Sequence, residues 1–207
     1  MQLGEFSRAG LTRSDVKACD HDLGGQAKDL PWGRVDEDTG QLSITFGRSA
    51  KTSDFIVDAL EARWQALPTH EQRATERVQL KMDNGPESSG VRTQFLHRIV
   101  QFADQIGKPL QLLDFPPYHS KYKPIERCWG ILALHWNGTR LRDVETMLAW
   151  AKSLTWKGHP PVVELNHKEY SRGLTLGKNA MRAVECRLDR HPQLPKWDIL
   201  IRPAAPD

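Results

Sequence analysis

Two carboxylates stand where phosphoryl chemistry would use them. Asp83 closes the apolar run VQLKMD (78–83), and Glu126 sits in KPIERCWG, with 42 residues between them. Carboxylate pairs suit a hard cation such as Mg²⁺, which takes oxygen ligands. Two such ions roughly 4 Å apart can clamp both oxygens of an in-line phosphoryl displacement. A structural role would use the same residue types. An Asp before Asn-Gly is a common turn residue, and a Glu in a first helical turn is a common cap. Further polar groups lie near Glu126. His119, Lys121 and Lys123 fill the segment before it, and Arg127 follows it. They suit contact with phosphates, and a solvated loop would carry them equally well. Lys157, in the turn-like TWKG, has the same two readings.

The two acids must be brought together by the elements around them. VQLKMD reads as a buried strand stopped by Asn84, Gly85 and Pro86. A helix is expected from about Val91 to Ile106, with Phe95, Leu96, Ile99, Phe102, Ala103 and Ile106 on one face and Gly107 closing it. PLQLLDF (109–115) is the next strand. Pro124 fits a first helical position. With Lys123 as N-cap, Glu126 is the third helical residue, where the helix dipole favours negative charge. Strand, helix, strand implies a parallel pair with a crossover, and active sites gather at the carboxyl ends of such strands. Upstream, PWGRVD (31–36) and QLSITFG (41–47) flank EDTG as a hairpin. Ser14 to Asp20 is a short β-like run. Ser53 offers an N-cap for a four-turn helix over DFIVDALEARWQAL, and Thr69 to Arg77 reads as a loop. From about Thr139 the chain reads as mostly helical, less regular beyond 155, where six of the thirteen prolines lie.

Composition sets limits. The chain has 207 residues, 39% apolar and 27% charged, which is ordinary globular usage and enough for a core without metal or disulfide staples. No apolar run of about 18 residues exists, so no membrane-spanning helix is expected. MQLGEFSRAG lacks a signal core. Three scattered cysteines, Cys19, Cys128 and Cys186, fit a reducing cytoplasm. The net charge of +3 is uneven: residues 91–142 hold 8 basic and 3 acidic side chains, a net of +5. Such an excess attracts polyanions, and a solvated helix face would show it too. Trp129, Trp136 and Trp150 are spaced for helix packing rather than base stacking. Cys128 has no evident general base beside it.

KMDNGPESSG and FPPYHSKYKPIERCWG, with their spacing, resemble the Rhodopirellula-type DDE transposases of bacterial insertion sequences. The resemblance extends through LGEFSRAG, CDHDLG, KTSDFIVDALEARW, HWNGTRL, LTWKG and KWDILIRP. It implies an α/β fold: an RNase H-like mixed sheet with flanking helices. Residues 1–154 would form a partial catalytic domain, and 155–207 a helical C-terminal extension packed on it. It implies Asp83 and Glu126 as the second and third of three catalytic, metal-binding acids. The implied cofactor is Mg²⁺, with Mn²⁺ as a substitute. The implied reaction is phosphodiester hydrolysis at a transposon end and transfer of the freed 3′-OH to target DNA. DNA is thus the expected partner, through His119, Lys121, Lys123, Arg127 and Lys157, with self-association left open.

Two features depart from the family pattern. The first acid is expected a few residues before the segment matching LGEF, and the chain starts two residues before that segment. The first strand and its Asp are therefore expected to be missing, and catalysis impaired. Asp20-His21-Asp22 match a different motif, in a supporting role or a plain turn. Lys123 replaces the family's helix-capping Asn and cannot accept from free backbone N–H groups. A DNA-binding remnant, or an inhibitor of intact transposase, is the alternative to an enzyme. A plain RNase H-type nuclease is disfavoured by PPYHSKYKPIE.

Overall fold

The computed structural model describes residues 30–115, 123–138 and 143–205. These divide between two compact units, one within Met1–Ala50 and Lys121–Glu169, the other within Lys51–Ser120 and Tyr170–Asp207. Each contains a mixed sheet, so the fold is mixed α/β, consistent with the RNase H-like class. Ser14–Asp20 and Asp20-His21-Asp22 lie outside the described residues.

The first unit is built on the expected hairpin. β1 (Leu30–Val35) and β2 (Leu42–Gly47) pair antiparallel in register Leu30↔Gly47 to Val35↔Leu42. The Asp36 side chain closes the connection by accepting from the N–H groups of Asp38 and Thr39, an Asx turn. β5 (Val162–Asn166) joins the other edge of β2 in parallel. With partners on both sides, β2 is buried along its whole length. Two helices cover this sheet: α4 (Pro124–Trp136) packs on β1, and α5 (Val144–Ser153) on β5. Leu42, Ile44 and Phe46 meet Cys128, Leu132, Met147, Ala151 and Leu154 in one core. Each fully buried side chain of this size contributes about 1.5–3 kcal/mol. The tryptophans follow the packing reading. Trp129 and Trp136 pack against this core, Trp136 stacking on Phe46 with ring centroids 6.4 Å apart. Trp150 meets His135 edge-on.

The second unit contains α1 (Ser53–Ala66), α2 (Thr69–Ala74), β3 (Val78–Met82), α3 (Thr93–Ile106), β4 (Leu110–Asp114), α6 (Lys178–Glu185), β6 (Leu188–Arg190) and β7 (Asp198–Ile201). Its strand order is β3-β4-β7-β6. β3 and β4 are parallel and joined through α3, as expected, and β7 is antiparallel to β4. The six-residue α2 replaces the expected loop. Gly107 ends α3 with a left-handed φ of 64°, which glycine adopts without a Cβ penalty. α1 packs on α3, and Arg98 of α3 ties down α1 by contacting Asp54, Asp58 and Glu61.

Three local expectations need correction. β3 is half-buried rather than buried, because among the described residues it pairs only with β4 and exposes Gln79 and Lys81. The N-cap of α1 is Thr52, whose side chain accepts from the Phe55 N–H, while Ser53 is the first helical residue. Beyond 155 the chain supplies strands β5, β6 and β7 with only one helix, because these segments complete sheets begun far upstream.

Candidate catalytic site

Asp83 lies one residue past β3, at the carboxyl ends of a parallel pair. The Phe115 N–H donates to the Met82 carbonyl at 2.8 Å, holding the two strand ends level. Immediately beyond Asp83 the chain reverses through Asn84, at φ 49°, a conformation Asn tolerates better than most residues. A Cβ placed on Gly85 would lie 3.3 Å from Asp83 Oδ1, so the carboxylate stands close over this turn. Asp83 is exposed, and among the described residues it has no hydrogen-bond or ion-pair partner. Nothing on its own side chain fixes its aim; the backbone does.

That backbone is anchored twice. The Ser53 hydroxyl, fully buried at the start of α1, donates to the Glu87 carbonyl at 2.8 Å and lies 3.2 Å from Glu87 Oε2. Arg92 approaches the same carboxylate oxygen at 3.4 Å. Further along, the Gly90 carbonyl accepts from Arg190 Nη1 at 2.9 Å, and Glu185 holds the Arg190 guanidinium. Gly90 has no room for a side chain, since a Cβ there would collide with the Lys196 carbonyl and the Ile199 methyl. These anchors escaped the sequence reading. Ser53 and Glu87 are 34 positions apart, and no spacing rule links them.

Glu126 belongs to the other unit. Lys123 is the N-cap of α4 without a side-chain cap bond, and Pro124 and Ile125 precede Glu126 as expected. The half-buried Glu126 side chain has no hydrogen-bond or ion-pair partner among the described residues. Ile125 and Trp129 beside it lie directly over Gly33 of β1, so helix packing on the hairpin fixes the height of the Glu126 turn. Arg127 is exposed and has no partner among the described residues. His119 and Lys121 lie outside the described residues.

Lys157 occupies a tight turn in the same unit as Glu126. Trp156 and His159 exchange backbone hydrogen bonds at 2.9 and 3.0 Å around it. Lys157 and Gly158 both have positive φ, 49° and 84°, the signature of a type I′ turn, where Asn-Gly is preferred. A lysine there is strained. Its ammonium lies 5.8 Å from the centroid of the buried Trp156 ring. Between these residues, Cys128 is inert: burial pushes its thiol up to about 12, against the opposing pull of a backbone N–H and of Lys157.

Residues 1–203 match the Rhodopirellula transposase DDE domain. The chain belongs to this transposase family. No curated protein and no solved structure matches it. The family reading made from the ordered set of motifs is therefore correct, and it supports a transposase function and use of a divalent metal. The carboxylates fit that use in kind. Both are hard oxygen donors without a partner among the described residues. Among the described residues, no group of three or more His, Cys, Asp and Glu could hold an ion by itself. No helix among them is long and apolar enough to cross a membrane.

Proposed function

We propose that this transposase domain hydrolyses a phosphodiester at a transposon end and transfers the freed 3′-OH to target DNA, with Asp83 and Glu126 holding the divalent metal, Mg²⁺ or Mn²⁺. The observation that carries this reading is the state of those two side chains. Each stands at the end of an element in a motif of the family, and each leaves its oxygens uncommitted. Arg98, Arg187, Arg190 and Arg202 occupy other acids of the same chain. When bound, the metal supplies charge neutralisation at the phosphate and a more acidic attacking oxygen. The chain's own part is to aim two carboxylates and to seat the DNA backbone. Lys123, Arg127 and Lys157, with His119 and Lys121, are the proposed phosphate contacts.

The second reading is a protein that binds transposon DNA, or inhibits intact transposase, without cutting. One experiment separates them: a strand-transfer assay with end DNA and Mg²⁺, run on this chain and on its D83N and E126Q variants. The proposal expects activity that either substitution removes. Full activity of D83N would end it. Binding without cutting by every version would establish the second reading. K157A is expected to weaken DNA binding and to lower the slope of log affinity against log salt by about one. An unchanged slope would remove Lys157 from the interface.

A further inference from the structure

We infer that Glu87 is a positioning residue for Asp83, acting through its lock on Ser53. The inference rests on the proposed role of Asp83 as a metal ligand. The Asp83 carboxylate has no partner among the described residues, so its direction is inherited from the turn 84–90. That turn has no strand partner and begins with the left-handed Asn84. Its fixed points are Glu87 on Ser53 and Gly90 on Arg190.

The Glu87 lock is the nearer of the two in sequence. Ser53 is completely buried on a helix that α3 clamps through Arg98, so its hydroxyl is a rigid reference point. Glu87 meets it with both its carbonyl and its carboxylate, and Arg92 approaches the same carboxylate oxygen. Ser88 and Ser89 follow it into the interior. Glu87 is acidic and close to Asp83 in sequence. Yet its Oε2 is shared by Ser53 and Arg92, so it acts by fixing the turn rather than by supplying a ligand. Partners bonded directly to a ligand typically change metal affinity by about 10–100-fold when removed; Glu87 acts through the backbone and does not touch the Asp83 carboxylate, so the lower end is expected.

The test is Mn²⁺ titration of the full chain, followed by the electron paramagnetic resonance signal of the free ion, alongside thermal unfolding. D83N, E87A, E87Q and S53A are compared with wild type. E87A and S53A should each weaken Mn²⁺ binding roughly ten-fold while the protein stays folded at the titration temperature. E87Q should recover most of the loss, because its amide oxygen still accepts from Ser53. S53A carries the test if E87A does not fold. Weakened binding in D83N with unchanged binding in E87A and S53A would overturn the inference and leave the site reading intact. Unchanged binding in D83N would remove Asp83 as a ligand, and the inference with it. Equal melting losses in E87A and E87Q, without any change in Mn²⁺ affinity, would show a structural role alone and also overturn it.

Discussion

Replacing Gly33 by Ala should separate helix α4 from the sheet that sets its height. A Cβ at Gly33 would lie 2.6 Å from the Ile125 methyl and 2.6 and 2.8 Å from two carbons of the Trp129 ring. Carbon atoms in comfortable contact are about 3.5–4.0 Å apart, so the gap must open by roughly 1 Å. Ile125 can rotate its terminal methyl away. The Trp129 ring is packed against the core of this unit and cannot, so the helix must move. Overpacking of this kind costs about 1–3 kcal/mol. For a chain of this size that lowers the melting temperature by roughly 2–4 °C per kcal/mol. Gly130 of the same helix is the control, since nothing lies within 4 Å of a Cβ there. G130A should gain up to about 1 kcal/mol from helix propensity and melt higher. The two Gly-to-Ala changes therefore have opposite signs. If the proposed function holds, G33A also lowers activity, because a misplacement of about 1 Å can cost on the order of 100-fold. Thermal unfolding of both variants is the assay. A G33A protein that melts at or above wild type would refute the packing of α4 on β1 described above.

R98A should destabilise the second unit by about 2–4 kcal/mol. It removes the cation shared by Asp54, Asp58 and Glu61, each about one-fifth exposed or less, although Asp54 keeps Gln94 and Asp58 keeps Tyr170, and breaking a partly buried pair is costly; a loss under about 0.5 kcal/mol in urea unfolding would contradict this. Asp104 yields a pH dependence. Burial alone would raise its pKa, but the Arg187 hydrogen bond, the Ala204 N–H and the Arg187 charge together hold it below 3.8. Its stabilising effect is thus present above pH 3.8 and lost as pH falls through the folded-state value. D104N should therefore melt lower than wild type at pH 6 and lose less on acidification below pH 3.8; parallel melting curves down to pH 2 would exclude this linkage. Finally, Cys186 is exposed and Cys128 buried. Thiol labelling at pH 8, read by peptide mass, should modify Cys186 first, and equal rates would contradict the burial of Cys128.

The parts of this protein written locally were legible from residue types alone. Asp-Thr-Gly between two apolar runs specified the β1–β2 hairpin. The three-and-four spacing of Phe95, Leu96, Ile99, Phe102 and Ala103 specified α3, and Gly107 its end. Pro124 fixed where α4 begins and so placed Glu126 in its first turn. The ordered set of motifs along the chain was enough to name the family, because several short matches in one order are far more specific than any one of them. What the chain could not disclose locally was which distant segment completes each sheet. Leu110 pairs with Ile201 and Ser43 with Val162, and such partners are chosen by shared burial, not by neighbouring residues. The exposure of β3 follows from the same cause, since a strand with one described neighbour buries less than its composition suggests. The shift of the α1 cap from Ser53 to Thr52 does too. Ser53 turns its hydroxyl inward to Glu87, and only a folded chain brings that acceptor within reach.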